Sequence, residues 1–155
     1  MLPLLVAAAA LPLTPLPDAR VGEVRGTRAF VAVSVDHGRV RVYVCDGTLK
    51  RDATLSTWFK GRWDGHSALT LKAGGHTLRL RAGKGSFDGH AFRVRREKAP
   101  AGLWDGRRGK FRTTWIALPG GRLRGTFVSP RPPKCRVIAV TGPNGDVRYV
   151  STCGG

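Results

Sequence analysis

The sequence predicts an all-β protein, built as an antiparallel up-and-down meander of about nine to ten strands. From Arg28 onward, apolar and polar residues alternate with a period of two, which is typical of strands with one buried face. These segments are separated by residue pairs that tolerate a positive φ, as two-residue hairpin turns require. Curling such a meander into a closed or nearly closed barrel removes its exposed edges. We therefore expect a barrel, with a two-sheet sandwich as the alternative.

The chain begins with a segment that resembles a secretory signal peptide. Residues 2–13 read LPLLVAAAALPL, a short apolar run with small residues, for which cleavage is expected after Ala10 or near Ala19. No Lys or Arg precedes the run, so either the leader begins upstream or the segment is not a signal peptide. We expect a leader over 1–19, a single β-domain over 20–155 and an extracellular location. The alternative is membrane association through an uncleaved N-terminal segment.

The first hairpin can be registered from its side chains. A two-residue turn at His37-Gly38 places three valines of one strand opposite three valines of the next, so that all six share one face. The expected pairs are Val35 with Val40, Val33 with Val42, and Val31 with Val44.

Eight further strands follow this hairpin. They are expected over 55–60, 67–72, 76–82, 90–95, 111–118, 122–128, 135–141 and 146–152. Turns are expected at Asp46-Gly47, Asp64-Gly65, Gly74-Gly75, Asp88-Gly89, Asp105-Gly106, Gly120-Gly121 and Asn144-Gly145, and a proline-rich loop at 129–134. Inward-facing candidates are Leu55, Phe59, Leu69, Leu71, Leu78, Leu80, Phe92, Val94, Leu123 and Phe127.

The chain has three cysteines, so it can form at most one internal disulfide. A three-residue loop at 143–145 pairs Gly142 with Asp146 and places Cys135 opposite Cys153 at a position where side chains approach closely. A disulfide is then expected in an oxidising compartment. A two-residue turn at Asn144-Gly145 is the alternative, and it would put the two thiols on opposite faces. Cys45 remains as a small residue that we expect to be buried.

The chain is strongly basic. It contains 27 Lys and Arg residues and 10 Asp and Glu residues, for a formal charge of +17, which favours polyanionic partners. In a strand, an Arg-apolar-Arg triplet sends both guanidinium groups to the face opposite the buried residue. The candidate anion-binding residues are therefore Arg39, Arg41, Arg79, Arg81, Arg93, Arg95, Arg122 and Arg124, with Arg107 and Arg108 in a basic loop beside Trp104. The alternative interpretation is a solvated surface whose charges protect sheet edges.

No catalytic or metal-binding pattern accompanies this charge. Asp64, Asp88 and Asp105 each begin an Asp-Gly pair, and the turn explains their presence. The histidines lack metal-ligand spacing, and the cysteines lack a Cys-x-x-Cys pair. We expect no enzymatic activity, no metal and no cofactor.

Several short strings resemble those of small exported or membrane-anchored β-proteins of high-GC Gram-positive bacteria. They are Phe30-Val-Ala-Val-Ser-Val, Tyr43-Val-Cys-Asp-Gly47, Trp58-Phe-Lys-Gly61 and Ala101-Gly-Leu-Trp104. The resemblance covers roughly residues 28–128. It implies an exported β-protein and supplies no catalytic residues.

These observations predict a secreted, monomeric, non-enzymatic β-domain. Its expected partner is an anionic polymer of the cell envelope or an acidic protein, bound through the arginine face. Two alternatives remain, namely a nucleic-acid-binding protein and a small extracellular hydrolase or inhibitor.

Overall fold

The computed structural model describes residues 10–128 and 134–154 of the chain. These ranges contain strands and no helix, so no helix there is suited to crossing a membrane. In chain order the strands are β1 (Ala10–Pro12), β2 (Thr14–Pro15), β3 (Ala19–Glu23), β4 (Phe30–Asp36), β5 (Arg39–Cys45), β6 (Ser56–Arg62), β7 (Leu69–Ala73), β8 (His76–Arg81), β9 (Lys84–Phe87), β10 (His90–Arg93), β11 (Gly102–Arg108), β12 (Phe111–Leu118), β13 (Arg122–Val128), β14 (Lys134–Thr141) and β15 (Val147–Gly154). The all-β prediction is confirmed.

The described strands form four antiparallel sheets. Sheet I has the order β3-β4-β5-β6, and sheet II has the order β10-β9-β8-β7. Sheet III has the order β13-β12-β11-β2, and sheet IV has the order β1-β15-β14. Strands that follow one another along the chain are neighbours within sheets I and II, as the meander predicts.

Three buried apolar clusters hold the sheets together as successive layers. One cluster joins sheets I and II around Phe59. A second joins sheets I and III, where Tyr43 and Ile116 are fully buried. A third joins sheets III and IV around Trp115 and Tyr149. The layers therefore follow the order II, I, III, IV, and sheet I is covered on both faces.

The valine hairpin of sheet I has the predicted register. Val35 pairs with Val40, Val33 with Val42 and Val31 with Val44. His37 and Gly38 form the turn with φ values of 50° and 74°, as a primed two-residue turn requires. Alternation then directs these valines into the cluster between sheets I and II. This prediction is confirmed because it depended only on the turn and the pleat.

Sheets I and II face each other as a sandwich. At one seam, β3 and the end of β10 meet through two isolated bridges, Val21 with Arg95 and Val24 with Phe92. Gly22 permits this approach, because a Cβ there would collide with the carbonyl group of Arg93. No described sheet closes on itself, so the arrangement fits the sandwich alternative better than a single barrel. The reason is that two isolated bridges replace the continuous hydrogen-bonded ladder that a barrel needs.

The domain uses strands that the sequence pattern did not predict. Strands β1 and β2 lie within the segment expected to be a leader, and they pair with β15 and β11. Asp105 and Gly106 lie within β11 rather than in a turn, which corrects the prediction made for this pair. Position 106 has no room for a larger residue, because the Leu13 side chain lies only 2.8 Å from where a Cβ would stand. The pair Asp46-Gly47 is also not a hairpin turn, since it belongs to a longer loop whose Gly47 carbonyl accepts a hydrogen bond from Gly125 N–H on β13.

The last hairpin has the predicted backbone geometry. Gly142 N–H donates to the Asp146 carbonyl at 2.6 Å, and Gly145 has a φ of 80°. Counting outward from this loop, β14 and β15 pair with Cys135 directly opposite Cys153. The register is therefore confirmed, and the disulfide stays a prediction. The proline-rich loop expected over 129–134 falls on residues 129–133, which lie outside the described residues, and on Lys134, which begins β14.

Candidate anion-binding surfaces

The arginine triplet of β8 lies on the outer face of sheet II. Leu78 and Leu80 point into the cluster between sheets I and II, so Arg79 and Arg81 point away from it. Both arginines are exposed. This placement agrees with the sequence argument for a strand with one buried face.

Three cations lie directly opposite one another across sheet II. Arg81 on β8 pairs with Lys84 on β9, and Lys84 pairs with Arg93 on β10. We call these residues the three-strand row. Neighbouring strands are about 4.8 Å apart, so three positive side chains start within roughly 10 Å of one another. Sequence reasoning missed Lys84, although Ala82-Gly83 could have been read as a two-residue turn that pairs Arg81 with Lys84.

Open grooves lie on both sides of the three-strand row. One groove of about 570 Å³ is lined by the row together with His66 and Arg95. The other, of about 370 Å³, includes Arg79 and Ser86 and shares Arg81 and Lys84 with the first. Arg95 is exposed beyond the end of β10, where its backbone hydrogen-bonds to Val21.

The row lacks a carboxylate partner within the described part of the chain. The ion pairs found there involve neither the row nor Arg79 and Arg95. Like charges placed directly opposite on adjacent strands repel each other. No described carboxylate lies within ion-pair distance of the row to offset this repulsion, although Glu23 and Glu97 line a groove together with Arg93 and Arg95.

A second group of cations lies on sheet I, at the open end of β5 and β6. Arg39 pairs with Arg62, and Arg41 pairs with Lys60, so two like-charge pairs stand side by side on one face. We call these residues the paired block. Arg39, Arg41 and Lys60 of this block line a groove of about 420 Å³ together with Asp36, whose carboxylate hydrogen-bonds to the His37 ring at 2.6 Å. The sequence argument found Arg39 and Arg41 but missed Lys60 and Arg62, which alternate with the half-buried Gly61 along β6.

Sheet III covers the other end of the sheet I face that carries the paired block. Farther along β5 and β6, Tyr43 lies opposite Trp58, and their ring centroids are 4.7 Å apart. Burial raises the pKa of the Tyr43 hydroxyl well above its usual range. The guanidinium of Arg112 lies 5.4 Å from the Trp58 ring centroid, and its Nε is 3.3 Å from Asp105. Arg112 therefore marks the boundary between the covered end and the open paired block.

The arginines of β13 make internal contacts, contrary to the sequence argument that all four triplets project freely outward. Arg124 lies 4.3 Å from the Phe30 ring centroid, and its Nε donates to the Arg28 carbonyl at 2.8 Å. Arg122 forms an ion pair with Glu23 and also lies against Phe30, at 5.6 Å. The opposite face of β13 packs toward sheet IV, so these arginines are turned toward sheet I. They bridge two sheets through these contacts, and Arg124 is half-buried, while the side chain of Arg122 stays 53% exposed.

The basic hairpin of sheet III is exposed, but the tryptophan beside it is not. Arg107 and Arg108 are exposed and lie opposite Arg112 and Phe111 in the hairpin of β11 and β12. Trp104 is only 3% exposed, and its ring packs edge-on against Tyr149. Trp104 is therefore not available to stack on a nucleic-acid base beside this basic hairpin, because it faces the cluster between sheets III and IV.

Two of the aspartates that begin Asp-Gly pairs form part of turns and loops. The Asp88 carboxylate accepts a hydrogen bond from Thr77 N–H at 2.8 Å and is bonded to His76 at 2.6 Å, and these contacts lower its pKa. The Asp64 carboxylate accepts hydrogen bonds from the hydroxyl and N–H of Ser67, which hold its pKa well below the usual range. Both carboxylates therefore contribute to local backbone structure.

The geometry defines a class of protein, namely a layered all-β domain with open, cation-rich faces. No protein-family model matches the chain, and neither the curated proteins nor the solved structures provide a match. Its function must therefore be argued from the charges and their placement.

Proposed function

We propose that this protein is a secreted, non-enzymatic β-domain that binds an anionic polymer of the cell envelope. The observation that carries the proposal is the three-strand row, in which Arg81, Lys84 and Arg93 face one another without a described carboxylate partner. A bound polyanion relieves the repulsion among these cations. Guanidinium groups suit the task because their paired donors match phosphate and carboxylate oxygens.

Magnitudes favour a polymer over a small anion. An exposed ion pair contributes only about 0.2–1 kcal/mol, so one anionic group at this surface would bind weakly. The row, Arg79 and Arg95 offer several contacts to a ligand that repeats its charge. The flanking grooves are open rather than enclosed, which suits an extended chain.

The same surface is better suited to contacts with the charged backbone of a polyanion than to stacking on nucleic-acid bases. Sequence-tolerant binding of single strands usually combines a positive groove with exposed aromatic rings. In the described part of the chain, no Phe, Tyr or Trp lines the grooves beside the row, and Trp104 is buried. Nucleic acid therefore remains an outcome to be tested rather than the preferred partner.

The test is retention of the protein on an immobilised poly(glycerol phosphate) at increasing salt. The row variant replaces Arg81, Lys84 and Arg93 with Gln. The control variant replaces Lys50, Arg51 and Arg148, which are exposed elsewhere, so both variants lose the same formal charge. We expect the row variant to bind about tenfold more weakly, because it loses three exposed contacts that are individually small. The control variant keeps these contacts, so its binding should change much less.

Wild-type binding should weaken steeply with salt, because exposed charges are screened within about 8 Å at physiological ionic strength. Retention that is the same at low and high salt would overturn the proposal. Equal losses in the row and control variants would show that only net charge matters. Tighter binding to single-stranded DNA than to the phosphate polymer would favour the alternative partner.

Export and a disulfide between Cys135 and Cys153 form part of this proposal. The register of β14 and β15 supports the bond, since it places the two residues directly opposite each other. Sequencing the N-terminus of the mature protein tests export. An unprocessed protein retained in the cytoplasm would contradict it.

A further inference from the structure

We propose that the domain carries two anion-binding surfaces that face in opposite directions, and that it bridges two separate polyanion strands. This inference rests on the proposed polyanion binding and adds a second site, the paired block. The three-strand row binds one polyanion chain, and the paired block binds the other.

The opposite orientation follows from strand alternation around one shared cluster. Val40 and Leu80 both lie in the cluster between sheets I and II. Neighbours of a buried strand residue point to the other face of their sheet. Arg41 therefore points away from sheet II, and Arg81 points away from sheet I. The two cationic surfaces are on opposite sides of the sandwich.

The paired block is open to solvent although much of sheet I is not. Along β5, Arg39 is exposed, Arg41 is half-buried, and Tyr43 and Cys45 are fully buried under sheet III. Sheet III therefore covers one end of this face and leaves the other end free. The paired block occupies the free end, with Asp36 as the acid opposite Arg39.

The two surfaces are far enough apart to act independently. Packed sheets lie about 10 Å apart, and the exposed cations extend beyond this distance on either side. At physiological ionic strength the screening length is about 8 Å, so occupation of one surface has little electrostatic effect on the other. An apolar core separates them, so an oligoanion must pass around the end of the sandwich, over residues 63–66, to contact both at once.

The first experiment counts sites with a short oligomer of glycerol phosphate, too short to pass around the sandwich. Titration calorimetry at low salt is expected to give two oligomers bound per wild-type chain. The block variant, with Arg39, Arg41, Lys60 and Arg62 replaced by Gln, is expected to bind one. The row variant is also expected to bind one, at the remaining surface.

The second experiment measures bridging with beads coated with poly(glycerol phosphate). Wild-type protein is expected to cluster the beads, and excess protein should disperse the clusters by saturating each bead separately. The row and block variants are expected to bind beads without clustering them. The control variant with Lys50, Arg51 and Arg148 replaced should still cluster them. Sedimentation of the free protein as a monomer excludes bridging by self-association.

The outcomes separate this inference from the proposed function. If wild-type protein does not bind the beads, the proposed function fails and the inference fails with it. If wild-type protein binds but clusters nothing, or if the block variant clusters as well as wild type, only the two-surface inference is overturned. A milder variant with only the exposed Arg39 and Arg62 replaced, checked by circular dichroism, serves if the full block variant is poorly folded.

Discussion

Two glycines in strand interiors, Gly85 and Gly125, lie against aromatic rings where no side chain fits. A Cβ on Gly85 would approach the Phe92 ring to 2.5 Å, and one on Gly125 would approach the Trp115 ring equally closely. Both rings are almost fully buried, so they have little room to move. In these places glycine is required by packing rather than by a turn.

We expect Gly85→Ala to lower the free energy of unfolding by about 1–3 kcal/mol, because it overfills a packed core. Urea denaturation monitored by tryptophan fluorescence measures this. Ser86→Ala is the matched control, since Ser86 points to the opposite face of β9 and should change stability by less than about 0.5 kcal/mol. Equal effects of the two substitutions would contradict the packing argument.

Cys45 is the residue whose chemistry burial controls most directly. It is fully buried, and this burial raises the pKa of its thiol. A buried thiol with a raised pKa is both inaccessible and mostly protonated at neutral pH. The sequence argument for a small buried residue is confirmed by its position.

Thiol titration should therefore depend on folding. We expect the oxidised, native protein to react with no equivalent of a thiol reagent at neutral pH. Denaturation should expose one thiol, that of Cys45, and reduction should expose all three cysteines of the chain. Three reactive thiols in the unreduced, denatured protein would contradict the proposed disulfide, and one in the native protein would contradict the burial of Cys45.

At the scale of single elements, the hairpins with short turns are the most predictable part of the molecule. Gly74-Gly75 and Asp88-Gly89 adopt positive φ values and connect neighbouring strands, as His37-Gly38 does. These elements depend on contacts only a few residues apart in sequence. Strand β11 was missed because Asp105-Gly106 has the composition of a turn. The glycine is instead needed to make room for Leu13, which is far away along the chain.

The turn that holds Asp88 should be sensitive to acid. Its carboxylate has a lowered pKa in the folded protein, chiefly through the hydrogen bond from Thr77 N–H and then through His76. This stabilisation is complete above the unfolded pKa of about 3.9 and is lost as pH falls through the lower folded value. Asp88→Asn should therefore flatten the fall in melting temperature below about pH 4.

Thermal melts between neutral pH and about pH 2 test this expectation. Asp52→Asn is the control, since Asp52 is exposed and has no hydrogen bond or ion pair among those described. Melting curves for Asp88→Asn that run parallel to wild type over the whole range would contradict it.

At the scale of the whole molecule, the N-terminal segment is part of the layered structure. Leu13 is 3% exposed within the cluster between sheets III and IV, and its N–H donates to the Tyr149 carbonyl. Leu16 N–H donates to the Leu103 carbonyl at 2.8 Å. If the proposed leader is cleaved, these contacts fit a cut after Ala10 better than one near Ala19.

Deleting residues 1–19 should destabilise the protein by about 2–5 kcal/mol, the cost of removing a buried leucine from a core. Deleting residues 1–9 is the control, because it leaves all described strands in place. Chemical denaturation of the two purified forms gives the comparison. Equal stabilities would contradict a structural role for β1 and β2.

The sequence by itself determined the strand period, the register of the valine hairpin and the excess of positive charge, because each depends on neighbouring residues or on simple addition. The tertiary structure decided which arginines are free. Arg122 and Arg124 have the same local pattern as Arg79 and Arg81, yet only the first pair contacts Phe30 across two sheets. Alternation shows that two side chains share a face, but what covers that face depends on how distant sheets pack.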